Sequence, residues 1–430
     1  MPPTTAPHPA TGTCPDACSE TTTAGLSRRG LLRMAAGAAL GAALTTGTTL
    51  GGARVAVAAT AAPADVLVVL SLRGGMDGLS LVVPSGDPDL QRWRPGIAVP
   101  GSTLKRVDGM FGLHPALAPL YPLWDAGRLG AVHACGMPAA NRSHFEAMEE
   151  MEEAAPGSHL RTGWIDRMVG VAGGGSAFAA TQLGSTAAPA ALRGPAPEVV
   201  AQSLATLGIQ VDDALPLSAW ESALGHLHRS ERPDVAAATQ AGLAAAARAG
   251  ALPPAGAGYP AGRLGTALAD VARLVRADVG LRVATVDHGN WDMHSGLGSP
   301  EPGRWMYDQV ATLAAALAAF AADLGPLLSR VVVVTLSEFG RRAQQNDSGR
   351  VDHGYGNAVL VLGGGVVGGR VHGRWPGLAA DRLVDGDLAV TTDYRQVLAE
   401  LLSVRCAVPS VTTSVFPGLV AAPLGLARRG

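Results

Sequence analysis

The chain has 430 residues, of which 47% are hydrophobic and 16% are charged, and its formal net charge is −2. Globular proteins average about 25% charged residues, so this chain has ample apolar material for a large core, and a wholly disordered chain is excluded. The small net charge provides no electrostatic field that would bind a polyanion, so a nucleic-acid binder is not expected. Four cysteines are too few for disulfides to stabilise a chain of this length, so a small disulfide scaffold is not expected either.

The N-terminal segment predicts an export signal. Arg28 and Arg29 form a twin-arginine pair, a mildly apolar run extends to about Leu50, and residues 56–58 (AVA) have the A-x-A pattern of a signal-peptidase site. This order of features is typical of an export signal, and a twin-arginine pair is an address that a receptor reads. We therefore interpret residues 1–58 as a twin-arginine export signal and expect an extracytoplasmic protein, in the periplasm, in the cell wall or secreted.

The predicted export signal leaves two questions open, whether it is cleaved and whether the cysteines of the mature chain pair. An uncleaved N-terminal anchor is the other interpretation, although Gly and Thr interrupt the apolar run and make it a poor membrane span; we expect no stable span after cleavage. Cleavage also leaves only Cys135 and Cys406. These two could pair outside the cytoplasm, but two separately buried thiols are the simpler expectation.

The remainder, 59–430, is predicted to be a single α/β domain. Continuous apolar runs indicate strands buried on both faces of a parallel sheet, at 66–72, 129–134, 281–286, 331–336 and, shorter, 359–362. Apolar residues recur at helical spacing between or after these runs, within 264–275, 310–324 and 392–403. Alternating strands and helices predict a doubly wound, mainly parallel sheet flanked by helices.

One stretch, at about 173–260, has a different composition. Ala, Gly and Pro dominate it, and Pro253 and Pro254 interrupt its last helical segment. We interpret it as a helical subdomain, rich in Ala and Gly, that is inserted into the domain.

Polar side chains follow the predicted strands. Ligands of open parallel sheets bind beyond the carboxyl ends of the strands, and these ends are followed by acid or imidazole groups, at Asp77, at 141–144, at 287–294, and at 337–341 with 352–354. Carboxylate and imidazole are ligands of zinc, manganese or iron, and no cysteine competes with them. The sequence therefore predicts a metal site at this edge.

Each candidate ligand also has a structural interpretation. Asp77 lies in a glycine-rich turn and could serve only to satisfy the turn backbone, and Glu338 could pair with Arg341 instead of a metal. Asp292 and His294 are two residues apart, which is compatible with one metal on an extended loop.

The best single signal is the pair Asp352 and His353 between glycine-rich segments. The same Asp-His-Gly tripeptide occurs at 287–289, either by chance or as a second arm of the same site.

Ser143 is the candidate nucleophile. A serine at the start of a helix lies where the helix dipole stabilises a bound oxyanion, and Arg142 and His144, on either side of it, complete the candidate catalytic group. With Glu146 three residues on, Ser143 also forms a capping box, which needs no catalysis.

Several segments of the mature chain together resemble the family called domain of unknown function 1501, whose members carry an export signal that is often a twin-arginine one. They span nearly the whole mature chain apart from 173–260, and they are LRGGMDGLSLVVP (72–84), FGLHPALAPL (111–120), NRSHFEAME (141–149), WDMHSG (291–296), LSEFGRR (336–342), 352–378 and TTDYRQVLAELL (391–402).

That family is similar in fold to the alkaline phosphatase and sulfatase superfamily, whose sites hold two divalent metals beside a Ser, Thr or modified Cys nucleophile. The resemblance thus implies an alkaline-phosphatase-like fold, divalent ions such as zinc or manganese, and a small ester substrate. Carried over by strand position, it makes Ser143 the nucleophile and assigns the metal ligands to Asp77, to Asp292 with His294 at one metal, and to Glu338 with Asp352 and His353 at the other.

Two functional classes follow. The first is an exported metal-dependent hydrolase of phosphate or sulfate esters. The second is a non-catalytic exported binding or surface-assembly protein with a structural metal cluster, since family members often resemble partners of a second exported protein of unknown function encoded beside them. An open metal position next to Ser143 separates the classes, because a fully ligated metal is structural.

The export hypothesis predicts that changing Arg28 and Arg29 together to Lys leaves the protein in the cytoplasm at the size of the precursor, because the paired arginines are what the receptor reads. Cell fractionation and immunoblotting measure this. Normal export of the double variant would disprove the twin-arginine interpretation.

Overall fold

The computed structural model describes residues 65–429, except 174–175, 197, 209–216, 229–232, 295–296 and 298–300. The predicted export signal, residues 1–58, lies outside the described residues and stays a prediction.

The described strands form a large sheet and a small one. Their bounds are β1 Val66–Leu72, β2 Val82–Val83, β3 Lys105–Arg106, β4 Gly112–Leu113, β5 Leu129–Gly136, β6 Ala180–Leu183, β7 Glu198–Ala201, β8 Val283–His288, β9 Val331–Leu336, β10 Asn357–Gly363, β11 Val371–His372 and β12 Thr392–Asp393. The large sheet has the order β11-β5-β10-β9-β1-β8-β6-β7, with β12 also paired to β5, and the small sheet has the order β2-β4-β3. In the large sheet β10 is antiparallel to its two neighbours, and the other pairings are parallel.

Helices cover both faces of the large sheet. The described α-helices are α1 Gly78–Leu81, α2 Leu90–Trp93, α3 Tyr121–Asp125, α4 His144–Glu153, α5 Trp164–Ala172, α6 Leu217–Leu227, α7 Pro233–Gly250, α8 Arg263–Arg276, α9 Trp305–Leu324 and α10 Tyr394–Val404. Short 3-10 or π turns occur at Pro115–Leu120, Ala190–Leu192, Leu204–Thr206, Gly325–Arg330, Ala380–Arg382 and Val411–Val415.

The core has two layers because the central strands are buried on both faces. Even-numbered residues of β1 pack in the layer that includes α8 and α9, whereas Leu67 and Val69 pack in the layer that includes α4, α5 and α10. Leu67 lies opposite Val283 of β8 and Val332 of β9, so the first strand is the centre of the sheet. The prediction of a doubly wound, mainly parallel α/β fold is confirmed.

The stretch 173–260 differs from the prediction of a helical insertion. Its first part contributes β6 and β7 to the large sheet, and its described α-helices occupy only Leu217–Leu227 and Pro233–Gly250. These strands have four residues each and contain Thr, Gln and Glu, so neither gives the continuous apolar run by which β1, β5, β8, β9 and β10 were predicted.

Helix α9 belongs to the one described segment, Trp305–Arg330, that is long and apolar enough to cross a membrane, with a mean hydropathy of 1.7. Its inward residues, among them Val310, Leu317 and Phe320, are buried in the core against α8. A core helix of this kind passes the same test, so the segment is weak evidence for a span.

Cys135 and Cys406 are each buried and unpaired.

Asp77 forms a buried ion pair next to the small sheet. Arg94 Nη1 and Nη2 donate to its two carboxylate oxygens at 2.6 and 3.0 Å, and the Ser80 hydroxyl donates to it at 2.5 Å. The same guanidinium donates to the carbonyls of Ala343 and Arg342 at 3.0 and 2.8 Å. Burial alone raises the pKa of Asp77, but the ion pair with Arg94 outweighs burial and holds the pKa below its ordinary value.

We expect Arg94→Met to lower the free energy of unfolding by about 3–5 kcal/mol, because it leaves the Asp77 carboxylate buried and unpaired. The matched control is Arg92→Met, which removes an ion pair to Asp89 in which the arginine side chain is 66% exposed and should cost less than about 1 kcal/mol. Urea denaturation measures both, and equal costs would contradict the structural role of the Asp77–Arg94 pair.

Candidate metal centre

The direction of the strands brings distant segments to one edge of the sheet. β1, β8 and β9 are parallel, so their carboxyl ends lie together, and the antiparallel β10 begins where β9 ends. The segment after β9 therefore meets the segment before β10. Gly340 N–H donates to the carbonyl of Tyr355 and Gly354 N–H donates to the carbonyl of Gly340, both at 2.9 Å. The backbones of Arg341 and His353 pair as an isolated antiparallel β-bridge. At Gly354 a Cβ would lie 2.3 Å from the carbonyl carbon of Arg341, so only glycine permits this approach.

Arg341 holds the surrounding loops together. Its side chain is 1% exposed, and its guanidinium donates to carbonyls of the loop after β1 and of Val351. From Nη2 it also donates to the carbonyl of Trp291 and to Asp292 Oδ1, both at 2.9 Å. The expected alternative, in which Arg341 pairs with Glu338, does not occur, because the guanidinium is turned toward Asp292.

Glu338 and Gly74 join the loop after β1 to the loop after β9. Glu338 is 2% exposed, and its Oε1 accepts the Gly74 N–H at 2.8 Å. Gly74 has φ +117°, and a Cβ there would lie 2.5 Å from the nitrogen of Asp292. The glycine therefore permits the loops after β1 and β8 to touch, which brings Asp292 close to Glu338.

Three histidines use the same ring nitrogen to contact an outer acceptor. Their Nδ1 atoms face a carboxylate or a backbone carbonyl, and these contacts are His144 to Glu338 Oε1 (2.8 Å), His353 to Arg142 O (2.9 Å) and His294 to Asp352 Oδ1 (3.3 Å). An acceptor at Nδ1 places the ring proton there. Each Nε2 is then left with its lone pair free.

The three Nε2 atoms lie around the carboxylate of Asp292. His294 Nε2 and His353 Nε2 are 2.8 Å apart, and they lie 3.0 and 3.2 Å from Asp292 Oδ1. His144 Nε2 lies 3.5 Å from Asp292 Oδ2, is buried, and has no hydrogen-bond partner among the described residues. Ligand atoms of His144, Asp292 and His353 all lie within 4.8 Å of one another.

This donor set fits a divalent metal ion. Tetrahedral zinc with bonds of 2.0–2.1 Å separates its ligand atoms by about 3.3 Å, close to the distances around Asp292 Oδ1. Metal-ligating histidines donate the other ring N–H to a carboxylate or a carbonyl, as the three imidazoles do here. With neutral imidazoles, the carboxylates of Asp292, Glu338 and Asp352 exceed the one guanidinium of Arg341 by two negative charges, which a divalent cation would balance.

The acid–base state of the inner groups agrees with that fit. Burial lowers the pKa of His353 and so favours the neutral imidazole that metal binding requires. Burial raises the pKa of Asp292, but the Arg341 guanidinium, which donates to the carboxylate, together with the neighbouring imidazoles outweighs burial and holds the pKa below its ordinary value, so the carboxylate stays ionised.

The structure arranges the predicted residues differently from the ligand set that the resemblance implies. Asp292, His294 and His353 lie in the inner group, where His144, predicted to be catalytic, joins them. Glu338 and Asp352, predicted to be ligands, contact the outer nitrogens of imidazoles instead.

Two further predicted residues have other partners. Both carboxylate oxygens of Asp77 are occupied by Arg94, so Asp77 does not join this group. Arg142 contributes its carbonyl, whereas its guanidinium pairs with Asp387. The acid of the repeated tripeptide at 287–289 also has another partner, because Asp287 pairs with Arg73 at 2.8 Å.

Ser143 lies between two residues of this centre, since Arg142 and His144 precede and follow it. It occupies the N-cap position of α4, but its side chain makes no capping hydrogen bond, so the predicted capping box does not form. Its hydroxyl has no hydrogen-bond partner in the part of the chain that the structure describes.

Comparison with known proteins agrees with the resemblance. A family model described as a protein of unknown function, DUF1501, matches residues 124–401, which is more than half of the chain. The chain belongs to the DUF1501 family. No curated protein matches it significantly.

Among solved structures the similarities are distant. The lipoteichoic acid synthase LtaP of Listeria monocytogenes is 8% identical with a TM-score of 0.36, and the match covers 76% of this chain and 74% of that one. The sulfatase PsFucS1 of Pseudoalteromonas is 11% identical with a TM-score of 0.35, covering 85% and 74%. Phosphonoacetate hydrolase of Sinorhizobium meliloti is 12% identical with a TM-score of 0.30, covering 69% and 60%. At these TM-scores the similarities bear neither on the activity nor on the site of this chain.

We expect one divalent ion per chain, and we expect His144→Ala and His353→Ala each to abolish its binding, because each removes an inner nitrogen. Glu338→Gln should weaken binding about tenfold to a hundredfold, as loss of an outer partner does. Calorimetric titration with zinc measures these effects. His159→Ala, at an exposed histidine outside the centre, is the control, and an equal loss of zinc binding in that variant would contradict the assignment.

Proposed function

We propose that this protein is an exported metal-dependent hydrolase of phosphate or sulfate esters. The observation that supports this best is the convergence of the three histidine Nε2 atoms on Asp292, one of them from His144, which directly follows Ser143 in the chain. The side chains of His294 and Asp292 are 44% and 46% exposed, so a small ester can reach the centre from solvent. Carboxylate and imidazole donors of this kind suit zinc or manganese.

His144, Asp292, His294 and His353 would hold the ion, which when bound would stabilise negative charge on the ester oxygens. The start of α4 supports binding of the same anionic group. The N–H groups of residues 144–146 have no acceptor among the described residues, and free N–H groups at a helix N-terminus attract anions.

Ser143 is the proposed nucleophile. Its Oγ forms a bond to phosphorus or sulfur as the ester oxygen leaves, its hydroxyl proton passes to water, and the departing alkoxide takes a proton from water. A second water then displaces the serine oxygen and restores the hydroxyl. Glu338, Asp352 and the carbonyl of Arg142 act as positioning groups, because they fix which nitrogen of each imidazole faces inward.

A second candidate is a non-catalytic exported binding or surface-assembly protein that pairs with another exported protein. One observation favours it: His144, Asp292, His294 and His353 are four donors, enough to fill a tetrahedral ion and leave no open position. In that case the centre stabilises the fold, and Ser143 has no chemical role.

We expect Ser143→Ala to keep its metal and to lower hydrolysis of an aryl phosphate or aryl sulfate by at least about a thousandfold, because the nucleophile is lost. Since the serine makes no capping bond, its stability should change by less than the roughly 1 kcal/mol of an ordinary cap. Metal analysis, ester assays and thermal melting are the measurements.

The same series separates the two candidates. His353→Ala should lose both metal and hydrolysis if the protein is an enzyme. If the wild-type protein binds metal but hydrolyses no ester in a broad panel, and His353→Ala only lowers the melting temperature, the hydrolase proposal fails and the binding protein is favoured.

A further inference from the structure

A cavity of about 660 Å³ lies at the same edge of the sheet and takes no part in the metal centre. Its walls are residues that directly follow, or end, parallel strands: Arg73 after β1, Gly184 after β6, Gln202 after β7 and His288 at the end of β8. Ligands of parallel sheets bind beyond the carboxyl ends of strands, and the volume is within the range of small-molecule sites.

The cavity and the metal centre share two short segments of chain. Arg73 lines the cavity and Gly74 touches Asp292, while Asn290 lines the cavity two residues before Asp292. The Trp291 N–H donates to the carbonyl of Arg73 at 3.2 Å and ties the two segments together. Two residues of the cavity wall, Arg73 and Asn290, are therefore each within two positions of a residue that touches or belongs to the metal centre.

Two carboxamides on the cavity wall have their NH₂ groups already engaged. Gln309 Nε2 donates to the carbonyls of Gly289 and Asn290 at 2.8 and 3.0 Å, and Gln202 Nε2 donates to the carbonyl of Gly184 at 3.2 Å. Because a carbonyl can only accept, these bonds fix each amide, and each side-chain oxygen remains as an acceptor. Both glutamines are half-buried.

The charges of the wall are largely paired. Arg73 contacts Asp287 at 2.8 Å and Glu152 at 2.9 Å, so its guanidinium is neutralised by carboxylates. Arg263, which also lines the cavity, is exposed. A polyanion would need several unpaired cations here, whereas the wall offers acceptor oxygens and the hydroxyls of Ser185 and Thr186.

We propose that this cavity binds a carbohydrate unit. Sugar hydroxyls donate to the acceptor oxygens of Gln202 and Gln309 and accept from the wall hydroxyls, which matches the wall better than an anion or an apolar group does. Resting on the proposed function, this makes the alcohol part of the ester a sugar, with its phosphate or sulfate directed toward Asp292.

Saturation-transfer NMR of the wild-type protein tests binding with the methyl glycosides of glucose, galactose, mannose and N-acetylglucosamine. Tetrahydropyran, the same ring without hydroxyls, is the ligand control. We expect transfer to at least one glycoside and none to tetrahydropyran. Gln202→Leu should weaken binding about fivefold, because it removes one acceptor, and Thr186→Trp should abolish it by filling the cavity.

Ser102→Trp is the matched control, since it adds the same bulk at an exposed residue outside the cavity, and it should bind as the wild type does. The proposal is overturned if no glycoside shows transfer, if Thr186→Trp binds as well as Ser102→Trp, or if inorganic phosphate displaces the glycoside, which would make the cavity an anion site.

A kinetic comparison separates failure of this proposal from failure of the proposed function. Thr186→Trp should raise KM for the phosphate or sulfate ester of the sugar whose methyl glycoside binds about tenfold and leave an aryl ester unaffected. Hydrolysis of aryl esters without glycoside binding would defeat the carbohydrate site alone. Glycoside binding without hydrolysis of any ester would defeat the hydrolase alone.

Discussion

The buried guanidinium of Arg341 is the constraint on which the rest of the centre depends. A buried cation is costly unless it is fully hydrogen-bonded, and its acceptors here come from the loop after β1, the loop after β8 and Val351. Those segments can satisfy it only by lying close together. The position of Asp292 between the imidazoles follows from this requirement, because its Oδ1 is one of the acceptors.

Asp292 thereby has two roles. Its hydrogen bond with Arg341 fixes the direction of the carboxylate and keeps it ionised, and its free Oδ2 faces the buried Nε2 of His144. The residues around Asp292 are also held in place by hydrogen bonds. Glu338 has little freedom to approach the centre itself, because its Oε1 accepts both the Gly74 N–H and His144 Nδ1.

The sequence predicted the sheet well because its strong signals are local. The runs at 66–72 and 331–336 have the bounds of β1 and β9, and the alternation of strands and helices is enough to place the polar loops at one edge. The short strands β6 and β7 were missed because four residues that include polar side chains show no local pattern.

The sequence did not predict which side chains pair with one another at the site. The carboxylate of Asp77 pairs with Arg94, and the guanidinium of Arg341 pairs with Asp292 rather than with Glu338. Whether a carboxylate contacts the inner or the outer nitrogen of a histidine depends on how separate loops pack together. The nearest signal for His144 was its position directly after Ser143, which suggested catalysis rather than ligation.

The central position of β1 has a consequence for biosynthesis. Among the described strands it is made first, yet its two neighbours, β8 and β9, are more than 200 residues further along the chain. Until both have been synthesised, the segment VLVVLSL has no partner for either of its edges, and pairing over such sequence distances is slow. Apolar strands exposed in this way are prone to aggregation. The nascent chain therefore needs protection, by a chaperone or by early collapse, through most of its synthesis, and the strand that emerges first is among the last to be completed.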